Sequence, residues 1–197
     1  MNFLAHIYLS GNNTEIAIGN FMADGIRGQD YKAFPEGFQT GILLHRAIDS
    51  FTDAHPVFRQ STKRLHPNYS HYAGVIVDIF YDHFLAKNWH RYSNRNLEHY
   101  AQEFYQSLEN NYHILTEKTK HLLPYLMADN WLYSYRNIEG IQRVLNGMNK
   151  RTQYQSDMNR ATKELEEYYT DFEKEFTVFF DDAIAFSNQK LTELNSK

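Results

Sequence analysis

Several histidines and aspartates in this chain are spaced so that they could work together. His45, Asp49 and Asp53 follow one another at intervals of four. Asp78 and Asp82 do the same, with His83 directly after. Upstream stand His6 and Asp24. On a helix, a spacing of four puts side chains on one face, one turn apart. Carboxylates stacked in this way repel each other unless something positive lies between them. Imidazole nitrogen and carboxylate oxygen are common ligands of divalent metals. The first reading is therefore a metal-dependent hydrolase.

The neighbours of these residues strengthen that reading. His45 follows Ile42-Leu43-Leu44, and Asp49 sits between Ile48 and Phe51. Asp78 and Asp82 are embedded in Val75-Ile76-Val77 and Ile79-Phe80-Tyr81. A polar group buried in such company is destabilising unless it is paired. Two buried carboxylates on one face raise each other's pKa unless a metal or an arginine neutralises them. Arg27 and Arg46 lie beside these acids. They read either as ion-pair partners or as phosphate contacts, which suit the bidentate guanidinium. His66, His71, His90, His99, His113 and His121 read as structural or surface residues.

The elements that must position these residues read as helices throughout. Asn2 is a candidate cap for a first helix carrying Phe3, Leu4, Ile7 and Leu9. Gly11-Asn12-Asn13 is a turn, and Thr14 opens a second helix. Gly25 to Gly37 reads as a loop, and Phe38 to Ala54 as a helix stopped by His55-Pro56. Val57 to Leu65 is a short basic helix, and His71 to Tyr92 the longest apolar stretch. Further helices are expected over Asn96 to Asn110, in two pieces between Leu115 and Tyr135, and over Ile138 to Asn149. The last runs from about Asn159 to Leu191 with an aromatic stripe that reads as core.

Composition narrows the function classes. A chain of 197 residues is expected to form one domain with a sizeable core. It has no cysteine, which excludes disulfides, thiolate metal sites and a thiol nucleophile. A metal here must be held by His, Asp, Glu or water. The net charge of -4 argues against a nonspecific nucleic-acid binder. No stretch approaches the about 18 apolar residues of a membrane span. The first ten residues lack the basic region and cleavage site of a signal peptide. A cytoplasmic location without membrane association is expected.

Taken in order, these stretches resemble the acyl carrier protein phosphodiesterase family, itself distantly similar to HD-domain phosphohydrolases. The matching segments are Asn2-Phe3-Leu4-Ala5-His6, Gly19-Asn20-Phe21-Met22-Ala23-Asp24, Arg27-Gly28 and Gly41-Ile42 leading into His45-Arg46 and Ile48-Asp49. Thr52-Asp53, Asp78, Asp82-His83-Phe84-Leu85, Trp131-Leu132 and Val144-Leu145-Asn146-Gly147-Met148 follow. The resemblance implies an all-α, single-domain, HD-domain-like helical bundle. It implies a divalent-metal phosphodiesterase, with Mn2+ as the ion, that releases 4'-phosphopantetheine from holo acyl carrier protein. HD-domain enzymes carry adjacent His-Asp, whereas here the order is Asp82-His83.

On this reading His6, Asp24, His45, Asp49, Asp78 and Asp82 supply the metal ligands. Asp24 or His83 acts as general base or orients a ligand, and Arg27 and Arg46 stabilise phosphoryl charge. An acidic carrier protein would dock on Arg143, Lys150, Arg151 and Arg160, or on Arg59, Lys63 and Arg64. The alternatives are an HD-type nucleotide phosphohydrolase, which needs a closed pocket, and a non-catalytic helical binding module. A carrier protein instead calls for an open groove with a basic rim.

Overall fold

A computed structural model describes residues 1–196, and its regular elements are all helical. The fold class is all-α, as the periodicity predicts. The α-helices are α1 (Phe3–Leu9), α2 (Thr14–Met22), α3 (Glu36–Ala54), α4 (Pro56–Tyr69), α5 (Ala73–Lys87) and α6 (Leu97–Asn110). They continue with α7 (Glu117–Ala128), α8 (Trp131–Ser134), α9 (Ile138–Arg151), α10 (Thr162–Glu167) and α11 (Tyr169–Asn195). None is long and apolar enough to cross a membrane.

The centre of the fold is α5, whose residues are apolar on nearly all sides and buried from Ile76 to Ala86 apart from Asp78. A helix apolar all round belongs inside other helices. α11 covers it with a stripe of phenylalanines: Phe172 meets Phe80 with ring centroids 5.2 Å apart, and Phe176 meets Tyr81 at 5.6 Å. Burying each such ring stabilises the fold by about 1.5–3 kcal/mol. Between α4, α5 and α11 lies one buried polar knot. Arg64 clamps Glu175 with two hydrogen bonds of 2.7 and 2.6 Å. Ser61 also donates to Glu175 and contacts the Tyr81 hydroxyl.

α2 and α3 pack close enough that Gly19 touches the backbone at Phe38 and Gly41 touches the backbone of α2 at Ile16. A Cβ at either glycine would fall inside van der Waals contact of a carbonyl oxygen. This approach seats α2 against the first turns of α3.

Three local expectations differ from the structure. Asn2 stands at the start of α1 but makes no side-chain capping bond. The free N–H groups of Leu4 and Ala5 go instead to Asp82 on α5. α4 runs on to Tyr69 through Pro67, although proline has no N–H to donate to the helix, because buried Leu65 and Tyr69 hold that last turn in place. The last helix is broken at Tyr168, which turns Tyr169 toward α5.

Candidate metal centre

Four of the residues singled out by spacing converge. His6 comes from α1, His45 and Asp49 from α3, and Asp24 from the turn after α2. His6 Nε2 lies 3.2 Å from Asp49 Oδ1, and His45 Nε2 lies 3.1 Å from Asp49 Oδ2. His45 Nε2 is also 3.3 Å from Asp24 Oδ1. The two imidazoles stack with centroids 4.1 Å apart. One ligand atom each from His6, His45 and Asp49 can be enclosed within 4.8 Å.

These contacts are close without being good hydrogen bonds. Both ring nitrogens of His6 are buried with no hydrogen-bond partner. A buried, orphaned donor-acceptor pair is unfavourable and calls for an explanation. A cation shared by His6, His45 and Asp49 would satisfy Nε2, the nitrogen on the Asp49 side, and the donor set of two imidazoles and a carboxylate suits a borderline divalent ion. Met1 supplies a positive group of its own: its amine is 3.0 Å from Asp78 and 3.5 Å from Asp49.

Electrostatics divide the two histidines. Burial and the neighbouring His45 push His6 down to about 4, so it is neutral at pH 7. Burial also opposes charge on His45, but the adjoining carboxylates of Asp24 and Asp49 outweigh it and raise His45 to about 9. Contact with His45 in turn holds Asp24 well below the usual carboxylate range. Asp49 is held low as well: its burial works the other way, but both histidines overcome it.

Asn20, on α2, was not among the residues that spacing singled out. It is fully buried. Its amide nitrogen donates to the His6 carbonyl at 3.0 Å and to the Ser10 hydroxyl at 2.9 Å. That orientation leaves Oδ1 facing His45 Nδ1 at 3.2 Å. An amide oxygen only accepts, so Nδ1 carries the proton and Nε2 is the atom turned to the acids. The signal available in sequence was a lone amide in the otherwise apolar run Ile16 to Met22.

Other expected site residues are placed elsewhere. Asp78 borders the cluster through the Met1 amine, and burial, opposed by that amine, pushes it up to about 6. Asp82 is fully buried and accepts from Leu4 N at 2.8 Å and Ala5 N at 2.9 Å. Burial, against those two N–H groups, raises it to about 7. His83 donates from Nδ1 to the Tyr135 carbonyl at 2.8 Å, so its Nε2 accepts from the Tyr169 hydroxyl at 2.7 Å. Arg46 reaches the carbonyls of Gly28 and Ile26 at 2.8 and 3.1 Å and lies over the Tyr31 ring. Arg27 is exposed and does not line the cleft described next.

The cluster opens into a cleft of about 580 Å³. Phe3, Phe21, Leu122, Trp131, Val144 and Met148 give it apolar walls. The cations around it are Lys118, Arg143 and Arg151, and Tyr125 lines it too. Lys118 Nζ stands 3.4 Å from Asp24 Oδ2. Lys118 had no local sequence signal, since it belongs to a helix distant in sequence from the acids.

The family model for acyl carrier protein phosphodiesterase matches residues 1–183. The acyl carrier protein phosphodiesterase of Photorhabdus laumondii subsp. laumondii is 33% identical over 184 residues, covering 91% of each chain. The protein of that name from Enterobacter sp. (strain 638) is 31% identical over 184 residues, covering 91% of this chain and 94% of its own. That of Escherichia coli (strain K12 / DH10B) is 31% identical over 194 residues, covering 96% and 99%. No solved structure matches the chain. The matching segments include those that carry His6, Asp24, His45 and Asp49. The chain belongs to the acyl carrier protein phosphodiesterase family.

Proposed function

We propose that this protein hydrolyses the phosphodiester joining 4'-phosphopantetheine to a serine of holo acyl carrier protein, giving the apo protein, and that it uses a divalent metal, Mn2+ by family resemblance. The observation that carries the reading is the His6–His45–Asp49 set, with two buried imidazoles, one of them orphaned, lining an apolar cleft. His6, His45 and Asp49 would hold the ion, with Asp24 at its open side. Such an ion polarises a phosphoryl oxygen and acidifies a bound water.

The side chains divide the remaining work. Asn20 fixes the His45 ring so that Nε2 faces the site. Asp24 stays ionised, is half exposed, and can accept a proton of an attacking water. Lys118 stands beside Asp24 and can offset charge on the phosphoryl oxygens, the part expected of Arg27 and Arg46. The apolar walls exclude water around the pantetheine arm. The cations lie around an open mouth, which suits a protein substrate better than a nucleotide enclosed in a pocket.

The test is intact-mass spectrometry of holo carrier protein incubated with this protein and Mn2+. Loss of the phosphopantetheine mass, abolished by chelator and by His6→Ala, supports the proposal. No loss with folded, Mn2+-loaded protein overturns it.

A further inference from the structure

We propose that the rim of the cleft, to which α7 contributes Tyr125 and α9 contributes Arg143 and Arg151, is the surface on which an acidic protein substrate docks. The inference rests on the reading that the substrate is a carrier protein. A phosphodiester tethered to a protein must reach the His6–His45 cluster that lines the cleft. The body of that protein therefore sits on the mouth, and the mouth residues are the ones it touches.

Three observations single out this surface. First, Arg143 and Arg151 are exposed, and neither forms an ion pair among the described residues. Their charge is available to a partner although the chain as a whole is at -4. The carboxylates lining the cleft are Asp24, paired with His45 and Lys118, and Asp129, which lies 3.4 Å from the Trp131 indole nitrogen. Second, Tyr125 lines the same cleft and is 65% exposed. Exposed tyrosine and arginine around a pocket are the residue types that anchor protein interfaces. Third, the rival basic group on α4 lies away from the cleft, and two of its three cations already have partners. Arg59 donates to the Asp53 carbonyl at 2.8 Å, Arg64 is clamped on Glu175, and neither lines the cleft. The exposed face of α11, with Asp171, Asp181 and Asp182, would repel an acidic partner.

The test is fluorescence anisotropy of labelled holo carrier protein titrated with the full chain at low and at high salt. R143E/R151E is expected to weaken binding about tenfold or more and to flatten its salt dependence. Y125A is expected to weaken it about fivefold or more. R59E/K63E on α4 is expected to stay within about twofold of wild type. Unchanged circular dichroism melts show that the variants are folded, and R143A/R151A serves if the reversal is not. Equal loss from the α4 variant, no loss from the rim variants, or no wild-type binding each overturns the proposal. Binding through the rim without phosphopantetheine release would leave the docking surface standing and sink the phosphodiesterase reading. Release with rim variants that bind like wild type would do the reverse.

Discussion

Replacing Asp82 with alanine separates a helix-capping role from a metal-ligating one. α1 is only seven residues long, and a helix that short has no independent stability. Its first N–H groups lack partners within the helix, and Asp82 supplies them from α5 to Leu4 and Ala5. Removing the carboxylate strands two buried donors, each worth about 1–3 kcal/mol when left unsatisfied. Part of this is recovered, because burial disfavours the ionised carboxylate and has raised it to about 7. The net loss expected for Asp82→Ala is about 2–4 kcal/mol. At about 2–4 °C per kcal/mol for a chain of this length, the melting temperature falls by about 4–16 °C. Asp82→Asn keeps one acceptor oxygen and is expected to lose about 1 kcal/mol. The assay is thermal or urea unfolding in excess chelator, where no ligand role can contribute. An Asp82→Ala protein that melts with wild type under those conditions refutes the capping argument.

Asn20→Ala should weaken Mn2+ binding about 10- to 100-fold by calorimetry, because Asn20 Oδ1 is the hydrogen-bond partner that orients His45 Nδ1. Unchanged affinity would dismiss that role. In chelator-treated protein, the His45 contribution to stability is fully present below pH 6.5 and is lost as pH rises to about 9, because its folded pKa is the higher one. His45→Gln should flatten that part of the urea-unfolding profile, and a slope that persists would assign it to another group. Gly41→Ala should destabilise by about 1–3 kcal/mol, since its Cβ would meet the α2 backbone. A variant as stable as wild type by calorimetry would mean that the two helices can separate freely. Arg46→Ala should speed amide exchange across Ile26 to Tyr31, whose carbonyls and ring it holds, and unaltered exchange there would contradict the contact.

The helical fold was legible because apolar residues recur at helical spacing, and His45 and Asp49 were legible for the same reason. Their convergence with His6 and Asp24 came through family resemblance, since three separate elements deliver them. Periodicity tells which residues share a face but not what that face meets. Asp82 and His83 are neighbours in sequence, yet about 100° separates consecutive side chains on a helix. One therefore points to α1 and the other to Tyr135 and Tyr169. Arg46 rotates away from the cluster beside His45 in the same way. The break at Tyr168 carries no glycine or proline, so nothing local announces it.

The reliance of α1 on a residue 77 and 78 positions further along the chain bears on how the protein is made. His6, Asp24, His45 and Asp49 all precede α5 in the chain and are made before it. The helix carrying His6 has nothing to start on until α5 has followed, and α5 is covered only when α11 has been completed. The earliest residues of the centre are thus among the last to be set in place. A nascent or truncated chain holds the right side chains without the geometry, so tight metal uptake would report a finished protein.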